Sequence, residues 1–483
     1  VEHSLKEKGI MKTIQYLVAG AMMLSISAPS MAQDVKSQVT AITKVVVDAK
    51  GDVNATKAQV KAFMKANKKN AEALAGLGRA FLTAKNYEQA KVYADMAMKF
   101  GKNDAAGYIL RGDIASAEDN GGEAASYYEM ATQQAPQEPS AYVKYARVYQ
   151  KVDPQGAVAM LEKLRSVKPD YPVDAAAGYM YSSNNQLKSA MNYYNKVQDP
   201  STLEDYILFD YASTAYVLDE FEKAQNLADA GIQKYPQYSS FNRIGLFAAD
   251  KQKKYAEAVT YGKNLFAATD TIKYTAADYS YYADALINTG DTQAAVDAYK
   301  KISEVDPEDK EVNKLIAMAY SKSKQFNEAV AAYNKYLEVM GDEITYKDYD
   351  SFADIYLEQA EAATTDAAKD AAYKNAADMY GKIAEKFDYA AIYAVNKQAT
   401  VYHLINPDVK AGIALPYYKK LAELVEAKAD KTDSDVNKLA TAYTYLAVHY
   451  IQNDKKTEAK HWAAKLLEIR PDDPNATQIM NIK

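Results

Sequence analysis

The chain has 483 residues, with 58 Lys and Arg against 64 Asp and Glu, a formal net charge of −6. It contains no Cys, which excludes disulfides, thiolate metal sites, Cys nucleophiles and a lipidated N-terminal Cys. The acidic balance argues against a nucleic-acid partner, whose phosphates require clustered Lys and Arg, and 48% apolar with 25% charged residues fits an ordered protein.

In chain order, the first predicted element is an export signal. Met11-Lys12 opens it and Leu17 to Ala28 forms an apolar run, shorter than the roughly 20 residues a membrane helix needs. Ser30-Met31-Ala32 places small residues at −3 and −1, so cleavage is expected after Ala32, with residues 1–32 an upstream extension plus signal and Met11 the start. No later stretch reaches about 18 apolar residues, so no membrane span is expected. The expected location is the periplasm.

From Ala71 onward the chain repeats with a period near 34. Leu74, Leu77, Gly78 and Phe81 are followed by Ala90, Ala94 and Ala97; one period later come Tyr108, Gly112, Ala115, Ala124, Tyr128, Ala131 and Pro136. The pattern recurs as Tyr142, Tyr145, Ala146, Ala157 and Pro169, then Ala177, Gly178, Ala190 and Tyr194, then Leu208, Tyr211, Ala212, Ala224, Ala228 and Pro236. It loosens near Phe241 and Gly245, and returns at Tyr282, Ala283, Ala295, Tyr299 and Pro307, then at Ile316, Ala317, Ala329 and Tyr333. A longer unit around Phe352 and Ala353 carries an Ala-rich insertion, Glu361 to Lys369. A degenerate unit spans residues 391–425, and the last unit holds Tyr443, Leu446, Ala447, Ala459, Ala463 and Pro471. Apolar residues at i, i+3/i+4 and i+7 predict helices. Turn-forming residues such as Asn86 and Gly290-Asp291 separate them, and Pro closes the units. The one β-like run is Val45-Val46-Val47.

This pattern resembles the tetratricopeptide-repeat family, whose 34-residue unit reads W-x₂-L-G-x₂-Y, A-x₃-F, A and P. Tyr or Leu often replaces the leading Trp here. The resemblance implies an all-α superhelical solenoid of about 10–12 helix-turn-helix repeats. Residues 33–70 are expected to form a degenerate N-terminal pair, 71–265 and 276–473 the two halves of the array, and 474–483 a tail or cap. The irregular Phe266 to Thr275 stretch is the candidate hinge.

Catalytic patterns are absent from the sequence. His403, His449 and His461 lack metal-binding spacing, and there is no G-x-G-x-x-G, Walker loop or G-x-S-x-G elbow. The expectation is therefore a non-enzyme without catalytic residue, metal or cofactor. The resemblance implies partner binding on the concave face formed by the first helix of each unit. Carried over position by position, that face holds Arg79, Asp113, Lys144 and Arg147, then an aromatic middle of Tyr179, Tyr206, Phe209, Ser213 and Tyr216, and later Asp284. Tyr suits partner anchoring because it supplies large contact area at low entropy cost.

Chaperone-binding members of the family clamp a C-terminal carboxylate with Lys at the fifth and Asn at the ninth position. Pairs such as Ala75/Arg79, Val143/Arg147 and Phe209/Ser213 do not match. Asp270-Thr271-Ile272 resembles the O-glycan acceptor of exported Bacteroidota proteins, making Thr271 a candidate modification site. The reading is a scaffold for other envelope proteins. Two alternatives stay open: a glycan- or peptide-binding module using the Tyr-lined groove, and an accessory subunit of an envelope enzyme.

Overall fold

The computed structural model describes residues 30–483. The expected export signal lies outside them, apart from Ser30-Met31-Ala32, which opens the first helix. Twenty-five α-helices run through the described residues, and no strand occurs among them. They fall into two compact units that divide at Asp219 and Glu220.

In the first unit, α1 (Ser30–Asp48) pairs with α2 (Val53–Asn67), α3 (Ala71–Thr83) with α4 (Tyr87–Phe100), and α5 (Ala106–Ala117) with α6 (Gly121–Gln134). Next come α7 (Pro139–Tyr149) with α8 (Pro154–Val167) and α9 (Val173–Ser183) with α10 (Leu187–Tyr194), and α11 (Asp205–Val217) closes the unit. The second unit opens with α12 (Phe221–Lys234). It continues with α13 (Ser240–Lys251) and α14 (Tyr255–Phe266), α15 (Ala276–Asn288) and α16 (Thr292–Val305), and α17 (Val312–Lys322) and α18 (Phe326–Met340). Then come α19 (Tyr346–Ala362) and α20 (Asp366–Lys386), α21 (Ala391–Ile405) and α22 (Leu415–Glu426), α23 (Asp433–Gln452) and α24 (Lys456–Ile469), and finally α25 (Pro474–Met480). Within each unit leading helices pack on the next leading helix: α3 on α5, α9 on α11, α13 on α15 and α17 on α19. This is the all-α solenoid that the 34-residue period predicts.

The packing of each hairpin follows from small residues. A Cβ at Gly112 would lie 2.4 Å from the Tyr128 ring, one at Gly178 would lie 2.6 Å from Tyr194, and one at Gly245 would lie 2.6 Å from Tyr261. In all three hairpins a glycine on the leading helix forms a socket for a tyrosine 16 residues later on the trailing helix. At Gly78 the close neighbours are Leu110 and the Ala90 carbonyl. The socketed tyrosines also reach polar partners. Tyr128 donates to Asp113 at 2.8 Å, Tyr194 to Asp210 at 2.6 Å and Tyr261 to Asp229 at 2.5 Å. Phe would fill the socket but leave these carboxylates without the bond, which accounts for part of the Tyr excess.

Local signals place the helix ends. Asn70, Asn86 and Asn120 accept from backbone N–H groups in the first turns of α3, α4 and α6. Pro136, Pro169, Pro236, Pro307 and Pro471 each follow the end of a trailing helix by two residues. In the turns between paired helices, Lys85, Asp119, Asn185, Lys253, Lys324 and Asp454 take left-handed backbone angles. The Val45 to Val47 run is helical instead of extended, because Ile42 and Val46, four apart, are both buried in one core. The Ala-rich insertion lengthens α19 and begins the 21-residue α20 instead of forming a long loop.

Residues 266–275 lie inside the second unit and are tied down. Phe266 stacks on Tyr279 with ring centroids 4.6 Å apart, and the Tyr274 hydroxyl donates to the Leu265 carbonyl at 3.2 Å. Trp462, on α24, has its ring 5.7 Å from that of Tyr443, with the Lys465 ammonium 5.0 Å above it.

Candidate functional site

The leading helices bring the predicted partner-binding residues to their surfaces, but those residues differ in how far their groups are already engaged. On α3, Arg79 is exposed. Asp113 on α5 and Lys144 on α7 form an ion pair at 2.7 Å, and Asp113 also accepts from Tyr128, so this pair fastens successive hairpins. Arg147, one turn beyond Lys144, is exposed and makes no ion pair or side-chain hydrogen bond among the described residues.

Tyr179 on α9 is half-buried and meets Tyr206 on α11 edge to face, with centroids 5.3 Å apart. Tyr206 keeps 42% of its surface exposed. Phe209 and Tyr216 are half-buried on the same helix. Ser213 is turned away from partner duty: its hydroxyl donates to the Phe209 carbonyl at 2.7 Å, one turn back in its own helix. Asp284 on α15 faces Asp250 on α13. Burial and the Asp284 carboxylate push the Asp250 carboxyl up to about 7. Thr271 is exposed, next to Asp270, which accepts from both the backbone and the hydroxyl of Ser239.

Three residues that the repeat pattern did not single out lie near these positions, Tyr171 and Asp210 in the first unit and Asp250 in the second. Tyr171, half-buried in the link before α9, packs against Tyr142, Met160 and Leu164; it follows Pro169, where the sequence reads only as a turn. Asp210 accepts from Tyr194 at 2.6 Å and Ser182 at 2.9 Å behind Tyr179. Burial pushes its carboxyl up to about 6, partly opposed by those two bonds. Asp250 was hidden because an isolated Asp reads as a solvated surface group.

Burial raises the phenol pKa of Tyr171, Tyr179 and Tyr206, and the Arg147 guanidinium opposes the rise at all three. They are therefore protonated donors at neutral pH, standing within the field of one cation. Such a surface offers hydroxyl donors and positive charge to an acceptor. Of the His residues, His449 is buried with Nδ1 2.8 Å from the Val409 carbonyl, and His461 lies edge-on to Trp462. No group of three His, Asp or Glu that could hold a metal occurs among the described residues, and no described helix is long and apolar enough to cross a membrane.

Tandem helical hairpins with glycine sockets define an all-α repeat protein whose leading helices carry the exposed functional groups. Residues 286–348 match the tetratricopeptide-repeat family model. Among solved structures it is similar to the C-terminal part of a tetratricopeptide-repeat protein from Cytophaga hutchinsonii, at 19% identity over 57% of this chain and 100% of that one, with a TM-score of 0.41. It is also similar to a tetratricopeptide-repeat protein from Parabacteroides merdae, at 14% identity over 52% of this chain and 98% of that one, TM-score 0.32. A third is Pseudomonas aeruginosa PilF, at 19% identity over 41% of this chain and 92% of that one, TM-score 0.34. No curated protein matches. The repeat fold supports a general role in protein–protein interaction, and proteins of this fold are generally non-catalytic.

Proposed function

We propose that the chain is a non-catalytic, exported scaffold that assembles protein complexes in the cell envelope through the surface of its leading helices. The observation that carries this reading is the repeat array itself, with Arg79, Arg147 and Tyr206 exposed on alternate leading helices, α3, α7 and α11, of one unit. Small contributions from many repeats suit a broad partner. The order of charge, apolar run and small residues before Gln33 supports export to the periplasm.

Crosslinking mass spectrometry in the native envelope tests the reading. Crosslinks from the leading helices to stoichiometric protein partners are expected, on a chain whose N-terminus is Gln33 and which osmotic shock releases. Recovery of no protein partner, together with quenching of Trp462 or Tyr fluorescence by glycans, would replace it with the glycan-binding reading. Mass spectrometry of the peptide containing Thr271 checks the O-glycan: an added sugar mass there is expected, and an unmodified peptide from the native source removes the proposal.

A further inference from the structure

We propose that a small polar cavity in the second unit is a subsite for one Asn or Gln side chain of a protein partner. This rests on the reading of the chain as a protein-interaction module. The cavity, of about 320 Å³, lies where the last turns of α12 and α14 meet the start of α13. None of the leading-helix residues assigned to partner binding lines it. Its size is at the lower end of the roughly 300–1,000 Å³ of ligand pockets, and about ten times the share of one liquid water.

One buried group in its lining is unmet. Asn242 on α13 is only 7% exposed, and its Oδ1 has no hydrogen-bond partner among the described residues. Buried polar groups are nearly always paired, so such an atom calls for a donor from outside the chain. The first turn of α13, which carries Asn242, is anchored on two sides. Phe241 is fully buried, with its ring 5.4 Å from that of Tyr238, and a Cβ at Gly231 would lie 2.2 Å from it. Ser239, also in the lining, donates its backbone N–H and its hydroxyl to Asp270 at 3.0 and 2.8 Å.

Charge and wall select the occupant. Gln237, Asn264 and Thr269 complete the polar lining, are exposed, and make no side-chain hydrogen bond among the described residues. No lining residue is charged. Of the charged neighbours, Asp270 spends both carboxylate oxygens on Ser239. Arg243 is held by Asp278 at 2.6 Å, Lys234 lies 5.0 Å over the Tyr235 ring, and Lys263, exposed beside Asn264, is not part of the lining. A carboxylate brings no donor for the Asn242 oxygen, and an ammonium brings a charge that no acid in the lining answers. A carboxamide carries two N–H donors and a carbonyl acceptor without charge, so it can donate to Asn242 and accept from Asn264 or Thr269. Ile232 and Pro236 give its stem an aliphatic wall, and no aromatic ring lines the cavity to stack on a sugar.

The test is selection from a random 12-residue displayed peptide library on the immobilised full-length chain, followed by anisotropy titration of the recovered peptides. The expected peptides share an Asn or Gln. Changing that residue to its acid, or making Asn242→Leu, weakens binding about ten- to hundredfold, and the two changes together cost no more than either alone. The urea midpoint of Asn242→Leu stays at or above the native value, because the amide oxygen meets no donor inside the chain; a clear fall would make Asn242 a structural residue and overturn the proposal. Recovered peptides without a shared carboxamide, peptides that bind Asn242→Leu unchanged, or binding of maltotriose in place of peptides, lost in Asn242→Leu, also overturns it. The first two of these outcomes leave the interaction-module reading standing, whereas that reading falls on crosslinking that finds no protein partner.

Discussion

The two units are built from the same hairpin yet commit their leading-helix cations differently. In the second unit Arg243 on α13 grips Asp278 at the start of α15 with two bonds of 2.6 and 2.8 Å, and the Asp278 side chain is fully buried. Lys314 on α17 reaches Asp348 at the start of α19 at 2.9 Å. Both acids also close a capping box with a preceding Thr, Thr275 and Thr345. Asp435 repeats the box at the start of α23 with Thr432, and there Lys428 is the partner. In the first unit α9 has Pro172 before its first residue and no side-chain cap, and its first-turn Asp174 is held by Arg165 of α8. Arg147 on α7 thus meets no capping acid. The difference teaches that a capping acid on the next leading helix turns a surface cation into a fastener, as with Arg243 and Lys314, whereas in the first unit Lys144 fastens backwards, to Asp113 on the preceding leading helix.

The strongest way to break this comparison is to remove the capping acid. Asp278→Ala should cost about 3–5 kcal/mol, because it strands a largely buried Arg243 and opens a cap. Asp174→Ala, in a more exposed pair, should cost about 1 kcal/mol or less. Urea denaturation of the full chain checks both, and equal losses would mean that the caps do not distinguish the units. A feature common to both units comes next. Gly112→Ala in the first and Gly245→Ala in the second should each lose about 1–3 kcal/mol by overpacking against Tyr128 and Tyr261; a loss in one unit alone would show that the sockets are not equivalent.

Acid should act on Asp348 and Asp210 with opposite sign. Burial raises the Asp348 carboxyl, but bonds from Tyr336, Lys314 and Thr345 outweigh it and bring it down to about 2. Its contribution is complete above the unfolded value near 4 and is lost as pH falls towards 2. Asp210, held up at about 6, does the reverse. Between pH 6 and about 4 the folded chain keeps a proton that the unfolded chain has released, so stability rises as pH falls. Each limb slopes by at most about 1.4 kcal/mol per pH unit. Denaturation from pH 7 to 2 should show Asp210→Asn flattening the upper limb and Asp348→Asn the lower. The smallest effect is a gain: Gly122 sits in α6 with open space around it, so Gly122→Ala should stabilise by about 0.5–1 kcal/mol, as a rise in the urea midpoint.

Much of the fold is legible from residues alone. Gly112 with Tyr128 and Gly178 with Tyr194 announce their hairpins, and Pro136 and Pro169 mark their ends, because close packing and chain termination are local demands. The caps at Thr275, Thr345 and Thr432 were not read, although their Thr-x-x-Asp spacing is a local signal; their partner cations leave no such signal, since Arg243 and Asp278 meet only through stacking. The candidate site was read in part. Arg147, Tyr179 and Tyr206 follow from repeat position. Tyr171 does not, because it sits in a link outside the repeat's helices. Asp113 and Lys144 looked like open surface until stacking brought them 2.7 Å apart.

Trp462 gives the array an optical property. It is the single Trp among 42 Tyr, it lies on α24, and its ring is 5.7 Å from Tyr443. Excitation at the red edge, where Tyr does not absorb, therefore reads the α23–α24 hairpin alone, while Tyr emission averages over the rest. In a stack held together by nearest-neighbour contacts the repeats can come apart in sequence. Two colours of intrinsic emission, followed through one denaturation, report whether the last hairpin lets go before the others, without any label attached.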